Sequence, residues 1–190
     1  MKKFAKKIGL SLAALACVIC AGAGVVISTS NSTEAYAAEI SPSDFYVSGA
    51  GIRLVNDVNG RGLRFHTIIT TDVYNNTVKN AKETGTLIIP EFRYDGELTL
   101  DDMNNESKNR PVQIVTYDSV TGKDLWYDYT TADDVAVKRS TTYVYNIPES
   151  FNGARFVAVS YVTYADGNTT YTDVSPEKSM ADIAYAVSGS

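Results

Sequence analysis

From Gly49 onward, apolar and polar positions alternate in short runs, a period of two that reads as strands rather than helices. Ile52-Arg53-Leu54-Val55 and Leu63-Arg64-Phe65-His66-Thr67-Ile68-Ile69-Thr70 bracket an Asn/Gly-rich turn at 56–62, which marks a hairpin. Thr86-Leu87-Ile88-Ile89 is apolar at every position and stopped by Pro90, which suits a strand covered on both faces. Val112–Tyr117, Asp124–Tyr129 and Thr141–Ile147 read as further strands, the last with Tyr143, Tyr145 and Ile147 on one face. Residues 130–140 read as a polar connection. Ala154–Ala165 and Asn168–Asp173 flank Asp166-Gly167, a two-residue hairpin turn that would pair Val162 with Tyr171.

Two segments switch to helical spacing. Thr71 is placed to cap a short helix from Asp72 to about Lys82, although Asn75, Asn76 and Thr77 are weak helix formers. Ser175-Pro176-Glu177 reads as cap, first-turn proline and dipole-facing acid. Met180, Ile183, Ala184 and Val187 then fall on one stripe of a terminal helix. Residues 91–111 are loop-like, with one helical turn from Leu100 to Met103. The expected fold is mainly β: an antiparallel β-sandwich, Ig-like or jelly-roll-like, of about eight strands with a C-terminal α-helix and a short internal helix.

The N-terminus has a different pattern. Lys2, Lys3, Lys6 and Lys7 precede an uncharged, mostly apolar run from Ile8 to Ile27, a polar spacer, and Ala35-Tyr36-Ala37. That is a signal peptide with cleavage expected after Ala37, in the style of Gram-positive export. An uncleaved anchor and lipidation at Cys17 are the weaker alternatives; Leu15 stands one place too late for a good lipobox. Residues 38–48 form a lead-in and 49–190 a single domain.

Cleavage changes the composition. The leader holds four of the 17 basic residues, one of the 22 acidic ones and both cysteines, so the remaining 153 of 190 residues carry 13 basic and 21 acidic groups, net −8. Disulfides, cysteine catalysis and Cys/His zinc sites are excluded from that domain. So acidic a chain is also a poor partner for nucleic acid. No membrane partner is expected once the leader is removed.

Three stretches together carry a likeness. They are Gly51-Ile52-Arg53-Leu54 with Gly62-Leu63-Arg64-Phe65, then Gly85-Thr86-Leu87-Ile88-Ile89-Pro90, and finally Asn146-Ile147-Pro148 through Tyr161-Val162-Thr163-Tyr164-Ala165-Asp166-Gly167 to Met180-Ala181-Asp182-Ile183-Ala184. The pattern resembles a secreted or cell-surface β-sandwich module of gut clostridia and related Gram-positive bacteria, often found beside Ig-like or dockerin-type domains. The resemblance implies class and location, and carries over no functional residue.

Candidate chemistry is sparse. His66 is the sole imidazole. It stands in a strand without a recognisable nucleophile or orienting carboxylate, so a structural role is the simpler account. Arg53, Arg64 and Arg155 each sit in an apolar strand, where a guanidinium either forks onto an anion or pairs internally. Asp101-Asp102 and Asp133-Asp134 are adjacent acids in polar sequence, and some acids will neighbour each other by chance among so many. Asn56-Asp57-Val58-Asn59-Gly60 could loosely hold calcium, but Ile68 occupies the place of an EF-hand's bidentate glutamate. No catalytic residue, built metal site or cofactor is therefore assigned.

Aromatics are the better clue. Without Tyr36 and Phe4, the domain keeps twelve of 13 tyrosines, five of 6 phenylalanines and the one tryptophan. In the 124–129 strand, Trp126 and Asp128 share one face and Leu125, Tyr127 and Tyr129 the other. One face must pack on the core and the other can stack on sugars. The candidate ligand-binding residues are Trp126, Tyr127, Tyr129, Arg64, His66 and Arg155. The expected role is a non-catalytic exported module for extracellular glycan or cell-wall polymer. A protein-binding module for a surface protein (adhesin, complex subunit or inhibitor) is the alternative, and a small hydrolase the lesser one.

Overall fold

The hairpin expected at the start of the domain forms from β1 (Phe45–Arg53) and β2 (Gly62–Thr70), paired antiparallel from Phe45↔Ile69 to Arg53↔Gly62. The structure is a computed structural model describing residues 40–53, 61–106 and 111–188, in backbone only at 52, 53 and 185–188. The leader, the 56–60 loop and the side chain of Arg53 thus lie outside the described residues. β1 begins earlier than its alternation suggested. Phe45 and Val47 face inward, but the register shifts between Val47 and Gly49, so inward positions beyond Ser48 become even-numbered, beginning at Ala50. A bulge of this kind inverts the parity and hides the first half of the strand.

The strands that follow are β3 (Glu83–Pro90), β4 (Val112–Asp118), β5 (Lys123–Asp124), β6 (Tyr127–Thr130), β7 (Ala136–Val144), β8 (Phe156–Thr163) and β9 (Thr169–Tyr171). Two antiparallel sheets result, a four-stranded β1-β2-β7-β6 and a five-stranded β5-β4-β3-β8-β9. The described chain is mainly β and the sheets face each other as a sandwich. Phe45 and Ile69 of one sheet pack with Val162 of the other, and Val47, Leu63 and Phe65 pack with Ile88 and Ala158.

Between these two apolar clusters lies a band of hydroxyls. Thr67 Oγ1 and Ser160 Oγ are 2.7 Å apart across the sandwich, and Thr86 Oγ1 stands 2.9 Å from Ser160 Oγ. Thr84 bonds Thr116 at 2.9 Å. Each hydroxyl is both donor and acceptor, so such a band satisfies itself without water.

The five-stranded sheet is buried on its other side too. The 91–106 segment lays Leu98 on Leu87, Ile89, Val157, Val159 and Tyr161. β3 and β8 are accordingly buried at every interior position, as the uninterrupted apolar run of β3 implied.

Four local expectations change. The 124–129 run is not one strand: β5 pairs with β4, and the chain crosses at Leu125-Trp126 to pair β6 with β7. Residues 136–140 are strand, because β7 turns Ser140 and Thr142 inward, where hydroxyls replace the expected apolar residues. The hairpin at Asp166 has a three-residue loop: Tyr164 N donates to Asn168 O at 2.8 Å, and Gly167 takes φ of 92°. Tyr161, not Val162, therefore opposes Tyr171. A one-residue slip moves every side chain to the other face.

The last change concerns the terminal helix. Ser175 does not cap it; its Oγ accepts from Ala158 N at 2.9 Å, and Lys178 bridges Phe156, so 175–178 run along the sheet. Helix α2 (Met180–Ser188) starts later, with Ser179 as its cap. Asp182 N donates to Ser179 Oγ at 3.0 Å, and Ser179 N donates to Asp182 Oδ2 at 3.1 Å. That is a reciprocal capping box. Met180 reaches the core and Ile183 packs against it, while Ala184 is exposed. The internal helix is likewise short: α1 (Thr71–Asn76) passes at Thr77 into a 3-10 turn, Val78–Asn80, which its asparagines allow and its few helix formers do not prolong.

Candidate functional site

Alternation along β2, β6 and β7 decides what the four-stranded sheet shows to solvent. Leu63, Phe65, Thr67 and Ile69 point into the sandwich, so Arg64, His66 and Ile68 take the other face, where Arg64 is exposed, His66 half-buried and Ile68, between Tyr46 and Arg139, buried. The antiparallel register places Tyr143 across from Arg64, Thr141 across from His66, and Arg139 across from Ile68. It then places Tyr127 across from Arg139 and Tyr129 across from Val137. Four of the six expected ligand residues, Arg64, His66, Tyr127 and Tyr129, therefore share one sheet face.

Arg139 organises that face. Its guanidinium lies 3.7 Å from the Tyr129 ring centroid and 5.2 Å from that of Tyr127, and its Nε donates to Tyr127 Oη at 2.7 Å. Tyr127 Oη also meets Thr141 Oγ1 at 2.8 Å, and Thr141 Oγ1 meets His66 Nδ1 at 3.0 Å. A guanidinium stacked on a ring and held through Nε keeps its terminal nitrogens in one orientation. Further along, the rings of Tyr143 and Tyr145 stack at 5.5 Å. Tyr127 and Tyr145 remain 40% and 41% exposed.

On the β1 side, two positions of the face are glycines. Gly49 stands opposite His66 and Gly51 opposite Arg64. A methyl group at Gly51 would come 2.8 Å from Arg64 Nε, so the glycine lets that side chain lie flat across β1. Gly49, at φ of 123°, has open space above it. Gly51 thus lies beneath the Arg64 side chain, and Gly49 leaves open space beside His66.

The electrostatics of the face differ from those of the whole chain, which is net −5. Among the described residues, no outward position of this stretch carries a carboxylate, and neither Arg64 nor Arg139 has an acid within ion-pair reach. His66 registers this: burial, then Arg139, then Arg64 lower its pKa to about 4. It is neutral at physiological pH.

The other candidates fall elsewhere. Trp126 is in the core, 8% exposed, at the sheet-to-sheet crossing. Its Nε1 donates to Thr84 Oγ1 at 3.1 Å, its N donates to Asp124 Oδ1 at 3.0 Å, and its ring is tilted against Tyr74. It is a packing residue and leaves the set. Arg155 leaves as well: it pairs with Glu177 at 2.7 Å and Asp182 at 3.3 Å, tying the start of β8 to that of α2. Asp102 is the acid of a capping box, accepting from Thr99 N at 2.8 Å, and Asp134 occupies φ of 61° in the β6–β7 loop.

Arg139 and the paired glycines were not among the expected site residues. Arg139 sits in the run read as polar connection, and the signal for it was the β-branched content of Val137, Thr141 and Thr142 rather than any apolar period. The glycines are two residues apart in a strand, a spacing that clears one face only.

Among the described residues, no group of three or more His, Cys, Asp or Glu could hold a metal ion, and no helix is long and apolar enough to cross a membrane. No family model, curated protein or solved structure matches this chain.

Proposed function

We propose that this chain is an exported, non-catalytic binding module that holds an extracellular glycan or cell-wall polymer on the outer face of its four-stranded sheet. The observation that carries this reading is the gathering of Tyr127, Tyr129, Arg64, His66 and Arg139 on one sheet face, beside Gly49 and Gly51 of β1. The exposed ring of Tyr127 offers a plane on which a sugar ring stacks, and the guanidinium, imidazole and hydroxyl groups around it offer hydrogen bonds to sugar substituents. The signal-peptide pattern of the leader supports a location outside the cell.

Sedimentation with isolated Gram-positive cell wall, together with a glycan array, tests the proposal. Binding by the parent protein and its loss in Y127A and in a Y127A/Y129A double variant is the expected result. Silence on both supports, or binding indifferent to these substitutions, overturns it.

A second reading rests on a different surface. Phe92 and Phe151 are 73% and 58% exposed and, with Tyr145 and Pro148, line a cleft of about 340 Å³. Exposed rings of that size are a common feature of protein-binding surfaces. Partner capture abolished by F92A/F151A but untouched by Y127A would favour a protein-binding module over the glycan reading.

A further inference from the structure

Among the described residues, Arg64 and Arg139 on the sheet face have no carboxylate partner, and that bears on the ligand. We infer that the polymer held there is an acidic polysaccharide whose sugar rings carry carboxylates, a uronic-acid polymer. The inference rests on the proposed glycan reading of the same face and adds the chemical class.

Charge complementarity is the first ground. Of the arginines with described side chains, Arg61 and Arg155 have a carboxylate partner and Arg93 rests on the Phe92 ring. Arg64 and Arg139 have none among the described residues, yet Arg139 is held rigid by two tyrosines. Orienting a guanidinium without neutralising it leaves its fork available to an external carboxylate.

Spacing is the second. Arg139 pairs across from Ile68, four residues along β2 from Arg64, so the two α-carbons are roughly 14 Å apart by strand geometry. Arg64 leans over Gly51 on the β1 side and Arg139 over Tyr127 and Tyr129 on the β6 side, so the two guanidiniums diverge instead of converging on one small anion. A chain with repeated acidic groups can meet both while crossing Thr141 and His66 between them.

The third ground separates sugar acids from other polyanions. Tyr127 beside Arg139 and Tyr145 beyond Tyr143 each keep about two-fifths of their surface exposed, at 40% and 41%. A polyol-phosphate chain has no ring to place on them. Nucleic acid has rings as well, and the oligothymidylate arm below separates it from a sugar acid. Net negative charge also repels polyanions at long range, so affinity here depends on local contacts.

The test uses the purified protein in titration calorimetry with three probes: polygalacturonic acid, the same polymer after carboxyl reduction, and poly(glycerol phosphate). Single-stranded oligothymidylate is a fourth arm. Polygalacturonic acid should bind about tenfold or more tightly than its reduced form, and R64Q and R139Q should each lose about tenfold, the usual worth of a hydrogen-bonded charge. Circular dichroism confirms that the variants remain folded. Equal binding of acid and reduced polymer, both lost in Y127A, overturns the acidic class and leaves the glycan reading standing. Tighter binding of poly(glycerol phosphate) or oligothymidylate overturns it, as does acid binding that neither arginine variant weakens. If no probe binds, the acidic class falls, and the glycan reading is judged by the cell-wall sedimentation alone.

Discussion

Gly85 stands directly across from Tyr161 in the β3–β8 ladder, and the absence of a side chain there makes room for the tyrosine ring. A methyl group at Gly85 would come 2.6 Å from the Tyr161 hydroxyl and 2.8 Å from the Ile114 carbonyl oxygen. The hydroxyl itself is committed, donating to Glu83 Oε1 while accepting from Gln113 Nε2 at 2.6 Å. Burial and the Glu83 bond push its pKa well above the ordinary value, so it stays protonated. The ring cannot swing away cheaply and the carbonyl belongs to the neighbouring strand. G85A should therefore destabilise the fold by about 1–3 kcal/mol, the usual cost of overpacking. Urea denaturation reads it. Y161F in the G85A background should recover only part of the loss, because the Ile114 contact persists; full recovery would show that the hydroxyl alone is the obstacle.

The placement of Trp126 gives a spectroscopic prediction. It is the sole tryptophan, so intrinsic fluorescence reports one site. Buried against Tyr74 and bonded through Nε1 to Thr84, it should emit at short wavelength and resist acrylamide quenching until the protein unfolds. W126F keeps most of the packing and loses the Thr84 bond, for which about 1–2 kcal/mol is expected. Polymer binding on the sheet face should not change. Strong quenching in the native state would return Trp126 to the exposed set.

How far the sequence could be read depends on what each position hides. The class of fold was legible because β2, β3 and β8 carry apolar residues where a core needs them. β7 was only half legible, because its inward Ser140 and Thr142 are polar residues buried where the pattern calls for apolar ones. β1 was shortened by the bulge at Ser48, which swaps the parity of the inward residues. The binding face suffered from both effects. Tyr127 and Tyr129 were separable from Trp126 by alternation alone, but the choice of which side to bury depended on the crossing at Leu125-Trp126. That crossing is set by Tyr74, Thr84 and Asp124, far apart in the chain.

The start of α2 makes a discriminating pair of variants. Ser179 is buried and exchanges two hydrogen bonds with Asp182, whereas Ser175 serves the β8 backbone. S179A should cost about 1 kcal/mol, as loss of a capping hydroxyl usually does, with a fall in ellipticity at the helical wavelength. S175A should leave that ellipticity intact. Asp182 is held below the usual carboxylate range, first by its bonds with Ser179 and then by Arg155. Below that range its protonation loosens the same cap. Loss of helical signal in S175A but not in S179A would restore the cap to Ser175.

His66 gives the pH dependence of the sheet face. Its folded pKa of about 4 lies below the ordinary 6.5, with burial the largest cause and Arg139 and Arg64 following. Between these values the unfolded chain takes up a proton that the folded chain refuses. Stability from this group is complete above about pH 6.5, declines as pH falls through the window, and is gone below about pH 4. Among the described residues, the groups facing His66 are Arg64 on its own strand, Arg139 and Thr141 on β7, Tyr127 on β6 and Gly49 on β1, so none of them is a carboxylate that would oppose the two arginines. H66Q should flatten this part of the urea-midpoint profile. Because it is the only histidine, its ring proton resonances titrate without overlap. R139Q should raise the titration midpoint more than R64Q does, in keeping with their order of influence. A midpoint at or above 6.5 in the parent protein would mean that the imidazole is neither buried nor crowded by the two guanidiniums, and the positive character assigned to the face would fall with it.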